Sequence, residues 1–312
     1  MKWQLVLYYL LSTANQILVG GEKSYLTEVS KEVNSDEYGQ SRGKISTNCT
    51  CGWTNKAVGR IVGGRETEVN EYPFMVALVQ RLGDGRTFAF CGAAILTNTH
   101  ALTAAHCVAD VNTPLAIIVG EHDLTTSKET QYTKLYGVAM AIPHEGYNSK
   151  THRADIALLV TDSEIQFNKA VGPACLPRAP IDLLNKYVKI TGWGHLKHEG
   201  KLAKSLMKVW VRVIPQGQCA AKFAAGKVDT ENPTQFCTYG WNKDACQGDS
   251  GGPVTWLDPD TNRYTLVGVV SFGIGCATTR PGVNTHVFAY IDWIHRNIKK
   301  TSLKDTYTCA RL

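Results

Sequence analysis

The chain has 312 residues, is 44% hydrophobic and carries a formal net charge of +6 from 33 basic and 27 acidic residues. A composition that apolar supports a sizeable core and excludes a disordered or fibrous chain. Six charges diluted over this length, with no dense Lys/Arg block, do not point to nucleic acid as a partner.

The first element is an export signal. Lys2 precedes the apolar run WQLVLYYLL (residues 3–11), and the small residues Ser12 and Ala14 follow. A signal peptide over 1–14, or ending as late as about residue 21, is the reading this favours. The run is far shorter than the ~20 residues that cross a bilayer. No later segment is long and apolar enough to do so, so the expectation is secretion without a membrane partner.

Residues 15–60 read as a pro-segment: 15–48 are polar, mixed in charge and without period. From residue 61 short apolar runs recur between Gly, Pro, Asn and Asp: FMVALVQ (74–80), AAILT (93–97), LAIIV (115–119), IALLV (156–160), YVKITGWG (187–194), VWVRVI (209–214) and YTLVGVVSFG (264–273). Strand lengths with turn punctuation predict an all-β body over 61–300. One helix is predicted, YIDWIHRNIKK (290–300), with Ile291, Ile294 and Ile298 on one face and Lys299 and Lys300 in its last turn. Residues 301–312 form a tail.

The ten cysteines (49, 51, 91, 107, 175, 219, 237, 246, 276 and 309) fit no zinc spacing. In an exported chain disulfides are their expected use, and the count alone leaves the connectivity open. Asn48-Cys49-Thr50 is a glycosylation sequon whose central cysteine makes it a poor acceptor.

The stretch DACQGDSGGPV (244–254) sets Ser250 between Asp249 and a glycine pair. Turn residues alone explain such a loop; a nucleophile presented on bare backbone explains it as well. His106 ends the small-residue run LTAAHC, and a bridge from Cys91 to Cys107 would close a loop around it. Asp155 heads the apolar run of RADIALLV, where a carboxylate must find hydrogen-bond partners. Taken together, the three suggest one chemistry. A serine hydroxyl is a weak nucleophile until a base takes its proton, an imidazole titrates near neutrality, and a carboxylate orients that imidazole. The N–H groups of Gly248 and Ser250 are then candidates for an oxyanion hole.

The ordered motifs RIVGG (60–64), LTAAHC (102–107), DIALL (155–159), GWG (192–194), GDSGGP (248–253), VSFGIGC (270–276) and PGV (281–283) resemble the chymotrypsin/trypsin family of serine proteases. The resemblance spans 61–298, a region of roughly 240 residues. CTCGW, VGEHDL, GWGH and YIDWI further resemble insect venom and salivary serine proteases. The family implies two packed antiparallel six-stranded Greek-key β-barrels with a C-terminal helix, the barrels meeting near 172–180. It implies a catalytic His106, Asp155 and Ser250, with Ser271 backing Asp155. Asp244 becomes the floor of the specificity pocket, and Gly273 and Gly282 its walls, so the expected substrates are proteins or peptides cut after Arg, then Lys. Ala245 stands where trypsins carry serine, which should favour Arg, since guanidinium pairs bidentately with a carboxylate. Phe272 replaces the usual Trp, Asn284 an aromatic near the pocket floor, and Pro281 marks members without a sodium site.

The resemblance also implies a zymogen cut after Arg60, the freed Ile61 amine pairing with Asp249. It implies bridges Cys91–Cys107, Cys219–Cys237, Cys246–Cys276 and a pro-segment tether Cys51–Cys175. Cys49 and Cys309 are left over, and a further family bridge is lost at Val188 and Trp256 together. No cofactor is expected: Glu121 and Asp123 offer oxygen ligands of the calcium type, but Gln131 stands where a further glutamate is usual. Protease inhibitors are natural partners of such a fold. The alternatives are a cascade protease of clotting or melanisation, or a non-catalytic binding homologue.

Overall fold

The apolar runs become the inner strands of two barrels in the computed structural model, which describes residues 39, 41–55, 65–126, 129–195, 203–240, 248–273, 280–302 and 306–312. The first barrel holds β2 (Met75–Arg81), β3 (Thr87–Thr97), β4 (His100–Thr103), β5 (Leu115–Val119), β6 (Lys134–Pro143) and β7 (Ala157–Thr161). They close antiparallel in the order β2-β3-β4-β7-β6-β5. The second holds β8 (Tyr187–Gly192), β9 (Met207–Ile214), β10 (Gln235–Tyr239), β11 (Pro253–Asp258), β12 (Arg263–Phe272) and β13 (Gly282–His286). Pairing of β8 with both β9 and β11 closes that ring of six, and the two-residue β1 (Arg65–Glu66) adds to the outside of β9. Helix α1 (Gln216–Ala220) is a short connector, and α2 (Ile291–Thr301) closes the described fold by burying Trp293, Ile294 and Ile298. No helix among the described residues is long and apolar enough to cross a membrane.

Each barrel has its own apolar filling. Val188, Ile190, Val211, Val213, Val254, Val267 and Val270 fill the second, with Trp256 packed against them. Val188 and Trp256, the positions where the resemblance implies a bridge is lost, share one apolar cluster.

The seam between barrels carries charge. Lys189 is fully buried there. Its Nζ donates to the hydroxyls of Tyr72, at 2.8 Å, and of Tyr264, and lies 4.3 Å from the Trp210 ring centroid. An ammonium caged by phenol oxygens and ring faces recovers part of its lost hydration.

The described part of the N-terminal segment, residues 39 and 41–55, lies against the second barrel. Gly43 and Ile45 donate their N–H groups to Thr261 and Asp260 carbonyls, both at 2.9 Å, and the buried Arg263 guanidinium donates to the Gly39 carbonyl at 3.0 Å. Two disulfides pin it, Cys51–Cys175 and Cys49–Cys309, the second joining it to the C-terminal tail. The Asn48 side chain sits in this clasp, accepting from Ala310 N–H at 2.7 Å and donating to the Thr308 carbonyl at 3.3 Å.

His100 ties the first barrel to α2. Its Nδ1 faces the hydroxyls of Thr97 and Thr99 at 2.8 and 3.0 Å, and its Nε2 that of Thr301 at 2.9 Å. Burial holds this imidazole down at about 4, against an ordinary value of 6.5. Between those values the unfolded chain binds a proton that the folded chain refuses, so stability is intact above pH 6.5 and falls as pH drops towards 4. His100→Gln should flatten this slope, removing about 2–3 kcal/mol of the loss between neutral pH and about pH 4.5. Urea unfolding at the two pH values reads it; identical slopes in both proteins would refute the assignment.

Candidate active site

His106 sits in a single tight turn, Ala105–Cys107, directly after β4. The Cys91–Cys107 disulfide ties that turn back to β3 across 16 residues of sequence. The imidazole is a quarter exposed, while the Asp155 side chain is wholly buried. Asp155 precedes β7, and the residue before it, Ala154, has a left-handed φ of 51°. This kink turns the carboxylate onto the His106 turn. Asp155 Oδ1 accepts the His106 backbone N–H at 2.9 Å, and Oδ2 lies 2.8 Å from His106 Nδ1. Ser271 Oγ, from β12, donates to Oδ2 at 2.5 Å. Burial pushes the Asp155 carboxyl up, but the bonds from His106 and Ser271 outweigh it and hold the group below the usual carboxylate range. It is a buried anion.

Ser250 is held through its backbone. Its carbonyl accepts the Gly92 N–H at 2.8 Å, next to Cys91. Gly251, at φ 75°, donates to the Val270 carbonyl at 2.8 Å, so the serine turn is fastened to both barrels. Any Cβ on Gly251 would stand 3.1 Å from Cys107 Sγ, so the serine turn abuts the His106 turn. Among the described residues no hydrogen bond joins the Ser250 hydroxyl to His106; the ring's Nε2 lies 3.6 Å from Cys107 Sγ. Such contacts commonly tighten only when substrate binds. Gly248 has a φ of 97°, open to glycine and strained for other residues. The Asp249 carboxylate accepts the Gly194 N–H at 2.8 Å.

Gly273 and Gly282, the two expected pocket walls, lie close together: a Cβ on Gly273 would stand 3.9 Å from Gly282 Cα. Asn284 is buried and donates to Thr238 Oγ1 at 3.0 Å, occupied within the sheet. Asp244, Ala245, Cys246, Cys276, Arg60 and Ile61 lie outside the described residues, and with them the expected pocket floor, activation site and Cys246–Cys276 bridge. Cys219–Cys237 is formed, with Cα atoms 6.2 Å apart.

Three groups at the site carry no signal in any short motif. Thr285 Oγ1 donates to the Asp155 main-chain carbonyl at 2.7 Å. The His152 ring stands 6.3 Å from that of His106 and 4.9 Å from that of Phe272. Phe223 packs edge-on to Phe272 at 5.6 Å. These lie far apart in sequence, and only the fold gathers them.

Cys91, His106 and Cys107 cluster closely enough to hold a metal ion, but both sulfurs are spent in a disulfide and offer no thiolate. Glu121 accepts the His122 N–H at 2.9 Å and Asp123 the Thr125 N–H at 2.8 Å, so both carboxylates already serve protein donors.

The trypsin family profile matches residues 61–294. A venom serine protease of Polistes dominula is 41% identical over 269 residues, covering 84% of this chain and 92% of its own. Venom serine protease 34 of Apis mellifera is 41% identical, over 81% of this chain and 62% of its own length. The proclotting enzyme of Tachypleus tridentatus is 33% identical, over 78% and 68%. With two closed six-stranded barrels, a buried Asp155 bonded to a partly exposed His106, and Ser250 ahead of a glycine pair, this chain belongs to the trypsin family and is a trypsin-like serine endopeptidase.

Proposed function

We propose that the protein is a secreted zymogen whose activated form cleaves polypeptides after arginine, and less readily after lysine, with His106, Asp155 and Ser250 as its catalytic groups. The observation that carries the reading is the Asp155 carboxylate, buried and ionised, fixed by His106 and Ser271 on the wall where the Ser250 turn docks. Ser250 Oγ attacks the substrate carbonyl while His106 Nε2 takes its proton; Asp155 holds Nδ1–H and so keeps Nε2 the accepting nitrogen. The Gly248 and Ser250 N–H groups receive the oxyanion. Proton return to the amine releases the first product, and water, deprotonated by His106, clears the acyl-enzyme. Asp244 at the pocket floor pairs with the substrate guanidinium, and Ala245 beside it supplies no hydroxyl for an ammonium.

Cleavage after Arg60 frees the Ile61 amine for Asp249. The Cys51–Cys175 and Cys49–Cys309 bridges would keep the pro-segment attached, giving a two-chain enzyme. Secretion is supported by the apolar N-terminal run and by four disulfides among the described residues. Matched arginyl and lysyl peptides test the specificity: kcat/KM for the arginyl substrate should be higher by about tenfold, near 1.4 kcal/mol. Equal values would remove the arginine preference.

A cascade role is the second reading, favoured by the similarity to a proclotting enzyme and by the arginine at the activation site. Profiling cleavage in a peptide library separates the two, since a cascade enzyme discriminates at positions beyond the arginine.

A further inference from the structure

We infer that Thr285 is a positioning residue for catalysis, the hydroxyl that fixes the Asp155 peptide so that its carboxylate meets His106. The inference rests on the proposed role of Asp155. Two neighbouring strands of the second barrel present hydroxyls to this one residue. Thr285 on β13 pairs with Val269 on β12, and Ser271 lies two residues further along β12. The register slips between Val270 and Phe272, leaving Ser271 in a bulge, a device that re-aims a side chain. Ser271 takes the carboxylate at 2.5 Å and Thr285 the main-chain carbonyl at 2.7 Å. The intervening Asn284 turns to the other face, towards Thr238.

The Asp155 peptide needs such a hold. Ala154 has a left-handed φ of 51°, a strained conformation for a residue with a Cβ. Locally this kink is closed by the Ile156 N–H on the Ala154 carbonyl at 2.9 Å. Thr285, only 1% exposed, supplies a tie from the other barrel, 130 residues away in sequence. Without it the strained peptide is free to relax, the carboxylate moves off Nδ1, and the imidazole loses its orientation. Displacements of about 1 Å at such a site cost up to ~100-fold in rate.

The test uses activated full-length enzyme with arginyl peptides, rates being expressed per titrated active site. Thr285→Val keeps the shape and removes the hydroxyl; kcat should fall about tenfold with KM within about twofold. Thr285→Ser, which restores the donor, should recover kcat to within about threefold of wild type. Thr255→Val is the structural control: Thr255 is a buried threonine of the same barrel, 3.4 Å from the Lys189 carbonyl, and its loss should lower stability while leaving kcat unchanged. Wild-type kcat in Thr285→Val, failure of serine to rescue, or an equal fall in Thr255→Val would each overturn the inference. An inactive wild type, or full activity in Asp155→Asn, would instead overturn the proposed catalytic role of Asp155.

Discussion

Asp155→Asn should lower kcat by about 10⁴ at neutral pH while leaving the protein folded. The loss follows from the number of donors and acceptors at this side chain. The carboxylate accepts three hydrogen bonds, from the His106 backbone N–H, from His106 Nδ1–H and from Ser271 Oγ–H. An asparagine of the same shape has one acceptor oxygen and one NH₂ group. If its oxygen takes the backbone N–H, the NH₂ faces both the ring and Ser271. The ring then answers as an acceptor at Nδ1, its proton moves to Nε2, and Nε2 can no longer take the serine's proton. Steady-state kinetics of the activated variant, with thermal unfolding alongside, separate lost chemistry from lost fold. An Asp155→Asn enzyme within tenfold of wild type would mean that the imidazole is oriented by something other than this carboxylate.

The second large effect is expected at Gly251. Its φ of 75° already disfavours a Cβ. That Cβ would also stand 2.2 Å from Thr103 Oγ1 and 2.6 Å from the Gly92 carbonyl oxygen, a pair bonded to each other at 2.8 Å. One contact is backbone on a strand of the first barrel, so no side-chain rotation relieves it, and the serine turn itself must move. Gly251→Ala should cost about 3 kcal/mol of stability, with a Tm lower by roughly 10 °C. Activity per folded molecule should fall by more than about tenfold, because the displaced backbone carries Ser250 and the N–H proposed to receive the oxyanion. Calorimetry and active-site titration measure the two effects. Thr103→Ser should not rescue the variant, since the Gly92 carbonyl stays in place. A protein that melts within about 1 °C of wild type and titrates fully would show that the two barrels leave more room at this seam than the contacts imply.

The inner strands were legible because their residues are apolar and their ends are marked. FMVALVQ, LAIIV and IALLV all lie within or across β2, β5 and β7. The helix was legible from its apolar spacing, although Ile291 is only partly buried and Trp293, outside that spacing, is buried beside Ile294 and Ile298. Strands β4, β6, β10, β11 and β13 matched none of the apolar runs. Strand β6 is half exposed along much of its length and shows no sustained apolar run. β10 and β13 are buried but carry Gln235, Thr238, Asn284 and Thr285, polar residues that enter a barrel only because their hydrogen bonds are made there. The His106, Asp155 and Ser250 motifs could be read because each needs residues adjacent in sequence. Thr285, His152 and Phe223 could not, because each acquires its place from neighbours on other strands.

The sequence by itself determined the chemistry: short segments whose composition suits a base, a buried anion and a serine on bare glycine backbone, in an order that marks the family. Tertiary structure alone decided the geometry that lets them act together. Asp155 meets His106 because Ala154 kinks the chain and because two strands of the opposite barrel turn hydroxyls towards it. The physical reason is that hydrophobic patterning specifies which residues are buried, whereas a catalytic hydrogen bond depends on sub-ångström distances set by how two separately closed barrels lock together.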